Sequence, residues 1–321
     1  MNGNLQIHRY ELFSRTGLNA QSDRRGHCGV LIRFDSGPGV GCIHPWPELG
    51  DDPLEGQLEK LRNGNSTPLI EQALRAANVD WLSELGSVSI PKSHFTCVDS
   101  ESTDPASIFE KGFRTVKLKG DGNQLDFLKA EMLRWSDAGF RIRVDFNETG
   151  KSASELVEWW KSLEIRDRIE FLEDPVLWNS KEWRLLKDAN IPLAADRGLE
   201  IPEKAAISDW WVVKPALVDT ASLVEAARRE GKDVIITSYM DHAIGQLRAA
   251  YWAGKCAIQV DCGLLTHELF EREPFFDAIE TRGAYFKEGS AFAEKSQSLL
   301  ESLDWEELKS RDCDASESGK R

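Results

Sequence analysis

In the stretch Arg141–Asn147, with the sequence RIRVDFN, a short strand-like segment leads to the acidic residue Asp145. Thr115–Lys119 (TVKLK) is a similar short segment that ends on a lysine. In Ile169–Pro175 (IEFLEDP) the apolar residues are followed by Glu173. Short apolar runs bounded by polar and turn residues predict buried strands. Amphipathic stretches lie between such runs, so strands and helices alternate. Such alternation predicts a parallel α/β fold.

The alternation extends over about eight units, which favours a TIM-type barrel over an open sheet. We predict strands at Ser87–Ile90, Thr115–Leu118, Arg141–Phe146, Ile169–Leu172, Pro192–Ala195, Trp210–Val213, Val234–Thr237 and Ala257–Val260. We predict helices between them at Asn123–Ala138, Ala153–Leu163 and Ser222–Glu230.

The first ninety or so residues have a different pattern. Gly29–Phe34 and Val40–Ile43 are apolar runs joined by the turn sequence DSGPG, which predicts a hairpin. The glycines resemble a phosphate loop, but no Lys-Ser/Thr pair follows them, which favours a turn. Pro53–Asn63 and Pro68–Ala77 have helical patterns. We therefore predict an α+β domain at 1–88, a barrel at 89–300 and a C-terminal tail at 301–321.

Composition narrows the classes of function. The 321 residues include 54 acidic and 40 basic side chains, a net charge of −14, which argues against binding to nucleic acid or anionic membranes. There is no apolar run of transmembrane length and no signal-peptide core at the N-terminus. The six scattered cysteines are typical of reduced thiols, so we expect a cytoplasmic protein. The sequence specifies no oligomeric state.

Charged residues recur at the ends of the predicted strands. They are Lys117 and Lys119, Asp145, Glu173, Asp196 and Lys214, and the intervals from Lys119 are 26, 28, 23 and 18 residues. Each interval is about one strand–helix unit. Since barrel active sites lie at the C-terminal ends of the strands, consecutive units would deliver these side chains to one place.

Three carboxylates that converge in a partly buried site would repel one another. A magnesium ion, which prefers oxygen ligands, would remove the repulsion and leave positions for a substrate carboxylate, with Mn²⁺ as an alternative ion. The absence of histidine and cysteine at these strand ends disfavours zinc. The alternative is that Asp145, Glu173 and Asp196 each cap a helix or pair with a surface lysine.

Lys117 and Lys119 lie two residues apart on a strand, so both side chains face the same way. If that face is the barrel interior, mutual repulsion and burial would lower their pKa values and make a general base. Lys214 would approach from the opposite side. The alternative is a solvated edge strand. The combined set predicts abstraction of a proton beside a substrate carboxylate.

These motifs resemble the lysine-based branch of the enolase superfamily, and within it the o-succinylbenzoate synthase family. The use of a lysine base with magnesium is a known property of that superfamily. The matching motifs are Lys117-Leu118-Lys119, Asp145-Phe146-Asn147, Glu173-Asp174-Pro175, Asp196 and Lys214-Pro215-Ala216-Leu217, with Ile236–Gly245 and Gly263–Thr266 in support.

The resemblance implies a (β/α)7β barrel, a modified TIM barrel, with an N-terminal α+β capping domain. It implies a lyase that uses magnesium for syn-dehydration of 2-succinyl-6-hydroxy-2,4-cyclohexadiene-1-carboxylate, a small-molecule carboxylate, in menaquinone biosynthesis. By resemblance Lys119 is the base, Lys117 assists it and Lys214 stabilises the enediolate. Asp145, Glu173 and Asp196 bind the metal, and Asn147, Ser238 and Gly263 contact or support the substrate.

The sequence departs from the family pattern at several positions. Gly39–Cys42 replaces a G-W-G-E segment, Asp174 follows Glu173, Arg197 follows Asp196, and Asp241-His242 replaces Glu-Ser. His44 is predicted in a turn and His242 in an exposed loop. One alternative function is an N-acylamino-acid racemase or a dipeptide epimerase, although the Asp-x-Asp of dipeptide epimerases is replaced by Asp261-Cys262-Gly263. A second is a non-catalytic metal-binding scaffold protein.

Overall fold

A computed structural model describes residues 3–18, 24–287 and 290–309 of the chain. The strands are β1 (Leu5–Phe13), β2 (Gly26–Phe34), β3 (Gly41–Ile43), β4 (Phe95–Cys97), β5 (Thr115–Lys119), β6 (Arg141–Asp145), β7 (Ile169–Glu173), β8 (Leu193–Ala195), β9 (Trp210–Val213), β10 (Asp233–Ile236), β11 (Thr281–Arg282), β12 (Tyr285–Phe286) and β13 (Glu306–Glu307). The helices are α1 (Leu54–Arg62), α2 (Pro68–Ala77), α3 (Trp81–Glu84), α4 (Pro105–Glu110), α5 (Leu125–Asp137), α6 (Ala153–Lys161), α7 (Ser180–Asp188), α8 (Pro202–Ile207), α9 (Thr220–Arg229), α10 (Ala243–Lys255), α11 (Pro274–Ala278) and α12 (Ser290–Glu301).

The N-terminal part is an antiparallel sheet, in the order β13-β1-β2-β3, covered by α2. Helix α2 begins at the N-cap Thr67, whose hydroxyl accepts a hydrogen bond from the backbone N–H of Ile70. It packs closely on the hairpin, since a Cβ atom on Gly41 would lie 2.1 Å from the carbonyl oxygen of Ala73. The glycines around the hairpin turn therefore allow helix α2 to pack closely against the hairpin.

The larger, second part is a parallel sheet of seven strands in the order β10-β9-β8-β7-β6-β5-β4, with helices on its outer face. The segment 261–263 closes the ring between β10 and the start of β4. Gly263 forms a parallel bridge with Thr237, and Cys262 forms one with Ser93. The backbone N–H of His94 donates to the carbonyl of Cys262 at 2.7 Å. The predicted (β/α)7β barrel with an α+β cap is confirmed.

The cap and the barrel share one apolar core. The indole N–H of Trp46, in the cap, donates to the backbone carbonyl of Tyr239 at 2.9 Å. The hydroxyl of Tyr239 in turn donates to Asp51 at 2.9 Å. Trp46 has no solvent exposure, and truncation of such a side chain costs about 3–5 kcal/mol in stability. The cap is therefore held firmly over the barrel.

Three histidines are buried where the cap meets the barrel, and we call His27, His44 and His242 the histidine cluster. The hydroxyl of Tyr10 lies 2.9 Å from Nδ1 of His44, and its ring centre lies 4.6 Å from that of His242. Each histidine is at most 3% exposed. The prediction that His242 lies in an exposed loop is wrong, because the cap covers that loop.

Most predicted strands agree with the structure to within one or two residues, but two do not. The first barrel strand is Phe95–Cys97 and not Ser87–Ile90. The closing segment is 261–263, whereas Ala257–Val260, which begins with Ala257 at a φ of 50°, is loop. Both predicted segments are apolar because they contact the core from outside the sheet.

The chain returns to the cap after the barrel. Strand β13 pairs with β1, with Glu307 opposite Gln6, and Leu300 packs in the shared core. The tail predicted from residue 301 thus begins as part of the cap sheet, and residues 310–321 lie outside the described part. Within the described residues the five cysteines are free thiols, and no helix has the length and apolarity needed to span a membrane. Cys313 lies outside the described residues.

The histidine cluster should make the protein acid-labile. Burial lowers the pKa of His242 from 6.5 to about 3, so below pH 6.5 the unfolded chain binds a proton that the folded chain does not. Stability from this residue is complete above pH 6.5 and is lost as the pH falls, by about 2 kcal/mol at pH 5. The His242→Asn variant retains an acceptor for the N–H of Ile244 but does not titrate.

We therefore expect the urea midpoint of the wild-type protein to fall more steeply between pH 7.5 and pH 5 than that of His242→Asn. Tyr10→Phe, which alters the same contact without removing a histidine, is the control and should run parallel to the wild type. Parallel curves for wild type and His242→Asn would show that His242 does not contribute to acid lability.

Candidate active site

The two-residue period of the strands places the charged residues inside the barrel. Four apolar residues pack together in the interior, one from each of β7 to β10: Phe171, Ala194, Val212 and Ile235. The residues two positions further along each chain segment face the same axis. They are Glu173, Asp196, Lys214 and Thr237.

The neighbouring strands complete the same layer. Lys119 is paired in register with Asp145, and Asp145 with Glu173, so the three residues stand side by side on β5, β6 and β7. Lys117 faces the same way as Lys119, one layer deeper. The predictions that the lysines lie on a solvated edge or that the acids form surface pairs are therefore wrong.

Each carboxylate is paired with a lysine. Nζ of Lys117 lies 2.6 Å from Glu173 and 3.1 Å from Asp145, and Nζ of Lys119 lies 2.8 Å from Asp145. On the next strands, Nζ of Lys214 lies 2.5 Å from Oδ2 of Asp196. The structure thus brings the three predicted acids and three predicted lysines together in one charged cluster.

Burial and neighbouring charges shift the proton affinities of this cluster. Burial and the nearby Asp145 raise the pKa of Glu173 to about 8. Burial opposes ionisation of Asp145, but Lys117 and Lys119 outweigh it and hold the pKa of Asp145 well below its usual value. Burial also disfavours the charged form of Lys117, yet Asp145 and Glu173 outweigh it and raise the pKa of Lys117. The prediction that Lys117 has a lowered pKa is thus wrong for this structure.

The cluster forms one end of a cavity that is open to solvent. Eight of the nine predicted site residues line it, and Glu173 lies beneath, 2% exposed. Asn147, in a left-handed conformation with a φ of 47°, donates its backbone N–H to Asp145. Ser238 and Gly263 line the opposite wall, and Leu49 of the cap also lines the cavity.

The carboxylates are a suitable set of donors for a magnesium ion, although they are turned toward the lysines. In the described part of the chain, no three His, Cys, Asp or Glu side chains are arranged as a ready-made metal site. Oδ1 of Asp196 is nevertheless buried without a hydrogen-bond partner among the described residues. Burial, together with the charges of Asp145 and Asp196, raises the pKa of Glu173, and a cation would offset this accumulation of negative charge. Oxygen donors and excess negative charge both fit a hard divalent ion.

The sequence did not reveal several residues of the site. His94 and Thr96 line the cavity at β4, a strand of three residues that is too short to show an apolar pattern. Lys204, 1% exposed, lies 2.9 Å from the carboxylate of Asp174 and 4.7 Å from the ring centre of Trp183. Lys204 could have been suspected only from contacts, because it lies on helix α8, where a lysine is usually exposed.

Comparison with known proteins identifies the family. Residues 5–83 match the family model described as the N-terminal domain of O-succinylbenzoate synthase. A protein of Bdellovibrio bacteriovorus named o-succinylbenzoate synthase is 30% identical to the chain, over 94% of the chain and 98% of that protein.

The chain belongs to the o-succinylbenzoate synthase family. It is accordingly an enzyme, a lyase-type member of the enolase superfamily, which rules against a non-catalytic scaffold.

Solved structures show the same fold at low sequence identity. The N-succinyl Arg/Lys racemase from Bacillus cereus is 15% identical, with a TM-score of 0.72, and the match covers 95% of this chain and 99% of that one. The dipeptide epimerase from Enterococcus faecalis, complexed with Mg and the dipeptide L-Leu-L-Tyr, is 15% identical, with a TM-score of 0.70 and coverage of 91% and 98%. At this level of identity the likenesses establish the fold alone.

Removal of the Lys204 side chain should lower the free energy of unfolding of the protein. In Lys204→Met the buried carboxylate of Asp174 loses its cation, and we expect a loss of about 3–5 kcal/mol. The double variant Lys204→Met/Asp174→Asn should recover part of that loss. Lys187→Met, which breaks a largely exposed pair with Asp209, is the matched control and should cost less than about 1 kcal/mol. Urea denaturation measures all four proteins, and equal losses for the two lysines would contradict the assignment of Lys204 as a buried counter-charge.

Proposed function

We propose that this enzyme is an o-succinylbenzoate synthase that dehydrates 2-succinyl-6-hydroxy-2,4-cyclohexadiene-1-carboxylate to o-succinylbenzoate. The observation that carries the proposal is the position of two lysines on opposite sides of one cavity. Lys119 ends β5 and Lys214 follows β9, four strands apart in a ring of eight segments. The full-length similarity to a protein named for this reaction supports it.

The proposed metal ligands are Asp145, Glu173 and Asp196, which would hold Mg²⁺ or Mn²⁺. When bound, the ion supplies positive charge next to the substrate carboxylate as that group becomes an enediolate. A divalent cation would also take over the carboxylate oxygens that now hold the ammonium groups of Lys117, Lys119 and Lys214.

The protein side chains then move the proton. Lys119 in its neutral form takes the proton from the carbon beside the carboxylate, and the C–H electron pair passes into the enediolate. Lys214 stabilises the negative charge from the other face. Lys119 returns the proton to the departing β-hydroxyl, so the C–O bond breaks, water leaves and the ring becomes aromatic. One lysine serves both steps, which is why the elimination is syn. Lys117 assists Lys119 by charge.

An N-acylamino-acid racemase is the second candidate, because the same pair of lysines could remove and return a proton on opposite faces. Asp261 counts against a dipeptide epimerase. It is 8% exposed and accepts a hydrogen bond from Thr115 at the start of β5, which is far from the strand ends where a ligand ammonium would bind.

We place the reaction in menaquinone biosynthesis, in the cytoplasm. The product is a small aromatic dicarboxylate. The protein has a net charge of −14, and this charge disfavours nucleic acid and anionic membranes as partners.

A dehydration assay decides between the two candidates. We expect conversion of the cyclohexadiene substrate to o-succinylbenzoate, followed by absorbance, to require Mg²⁺, to stop with EDTA and to return when Mg²⁺ or Mn²⁺ is added. Racemisation of N-succinylamino acids should be measured by polarimetry in parallel. Fast racemisation without dehydration would assign the racemase function instead.

The role of Lys119 is tested by Lys119→Ala. We expect turnover to fall by at least about 10⁴-fold, since the only proposed base is removed, while Mn²⁺ binding measured by electron paramagnetic resonance persists. Lys129→Ala, on the exposed face of α5, is the control and should retain wild-type turnover. Substantial activity in Lys119→Ala would remove Lys119 from the mechanism.

A further inference from the structure

The proton on the imidazole of His94 is fixed by a buried arginine. His94 is 3% exposed, and its Nδ1 lies 2.8 Å from a guanidinium nitrogen of Arg143. Arg143 is fully buried and also donates to the backbone carbonyl of Asp261 at 2.6 Å and to Glu170 at 2.6 Å. A guanidinium only donates, so Nδ1 of His94 must accept. The neutral imidazole therefore carries its proton on Nε2.

The environment keeps His94 neutral. Burial and the charge of Arg143 hold the pKa of His94 well below its usual value. The Nε2–H group thus remains a donor of fixed direction, and no hydrogen bond from it is found among the residues that the structure describes.

The free donor lies against Gly263 on the wall of the cavity. Only glycine fits at this position, because a Cβ atom on Gly263 would lie 3.1 Å from Nε2 of His94 and 2.7 Å from the methyl carbon of Thr237. All three residues line the active-site cavity. Thr237 is 8% exposed, and its hydroxyl has no hydrogen-bond partner within the described part of the chain. The Nε2–H of His94 and the hydroxyl of Thr237, both on buried residues, therefore lie on either side of Gly263.

The charges of the cavity are divided between its walls. The acids and lysines stand on or directly after β5 to β9. On the other side, β4, β10 and the residues next to them contribute the neutral donors His94, Thr96, Thr237 and Ser238, and the segment 261–263 contributes Gly263. The substrate of the proposed function has two carboxylates. The reacting one must lie next to Lys119, so the distal one, at the end of the succinyl arm, needs donors elsewhere in the cavity.

We propose that Nε2–H of His94, assisted by the hydroxyl of Thr237, binds the distal carboxylate of the substrate at the cavity wall that His94, Thr237 and Gly263 form. Arg143 acts as a positioning residue, since it fixes the tautomer that donates. The identity of the ligand rests on the proposed function, whereas the subsite itself requires only a ligand with an acidic arm.

The test compares ligands with and without the distal carboxylate. Calorimetry with Mg²⁺ present measures o-succinylbenzoate against 2-butanoylbenzoate, in which a methyl group replaces that carboxylate. The wild-type enzyme should prefer the first. His94→Asn retains an acceptor for Arg143 but lacks the Nε2 donor, so it should bind o-succinylbenzoate about tenfold to hundredfold more weakly and 2-butanoylbenzoate unchanged. Thr237→Val should show a smaller loss of the same kind.

His94→Gln can place an amide N–H near the position of Nε2 and should restore part of the preference. His8→Asn, on the cap strand β1, is the control and should not alter it. Nitrogen-15 spectra of the wild-type imidazoles should show a neutral Nε2–H signal that is absent in His94→Asn. Equal weakening of both ligands, or loss of the preference in Arg197→Gln but not in His94→Asn, would overturn the proposal.

The two proposals fail separately. If the wild type does not catalyse dehydration, the same variants are measured with N-succinyl-L-phenylalanine against N-butanoyl-L-phenylalanine. A preference that depends on His94 there would support the subsite and refute the synthase assignment. A wild-type enzyme that prefers the acidic member of neither pair would refute the subsite.

Discussion

The site depends on the balance of charge between three buried carboxylates and three lysines at the ends of the barrel strands. Neither set is stable alone in the interior, because an unpaired buried charge is costly. Asp145, Glu173 and Asp196 each accept an ammonium group, which lets the strands close into a ring around them. The same carboxylates suit a divalent ion, and the lysines that balance their charge are the groups that the proposed mechanism uses.

The sequence predicted the barrel and the charged cluster because both follow from periodicity. Strands β5, β6, β7 and β9 have four or five residues each, so their apolar runs mark where they end, and Lys119, Asp145 and Lys214 could be placed from spacing alone. The strand Phe95–Cys97 and the closing segment 261–263 are short and contain the polar residues Thr96 and Asp261, so neither shows an apolar run. His94 was missed for that reason, since a residue at a strand end is recognised only when the strand is.

Other features were hidden because they depend on tertiary contacts. The raised pKa of Lys117 requires both Asp145 and Glu173 within reach of one ammonium group, and sequence shows only that Lys119 is nearby. Burial of His242 requires the cap to cover its loop. The cap itself was identifiable from composition, but its contact with the barrel through Trp46 and Tyr239 was not. The spacing of residues along the chain predicts which side chains face the barrel axis. It does not predict which segments of the chain cover them.

The cavity has a charged half and a neutral half. We propose that the proton is transferred in the charged half and that the substrate is selected in the neutral half. In the proposed mechanism the charged half removes a proton from a carbon beside a carboxylate, so the same arrangement of lysines would suit either candidate reaction, dehydration or racemisation. The neutral half, around Gly263, decides which second group is held while the proton moves. A donor whose direction is set by Arg143 is already oriented before a ligand arrives, so little freedom is lost on binding. Changes of substrate within this fold should therefore arise on β4, β10 and the closing segment, where they leave the lysine pair and the carboxylates intact.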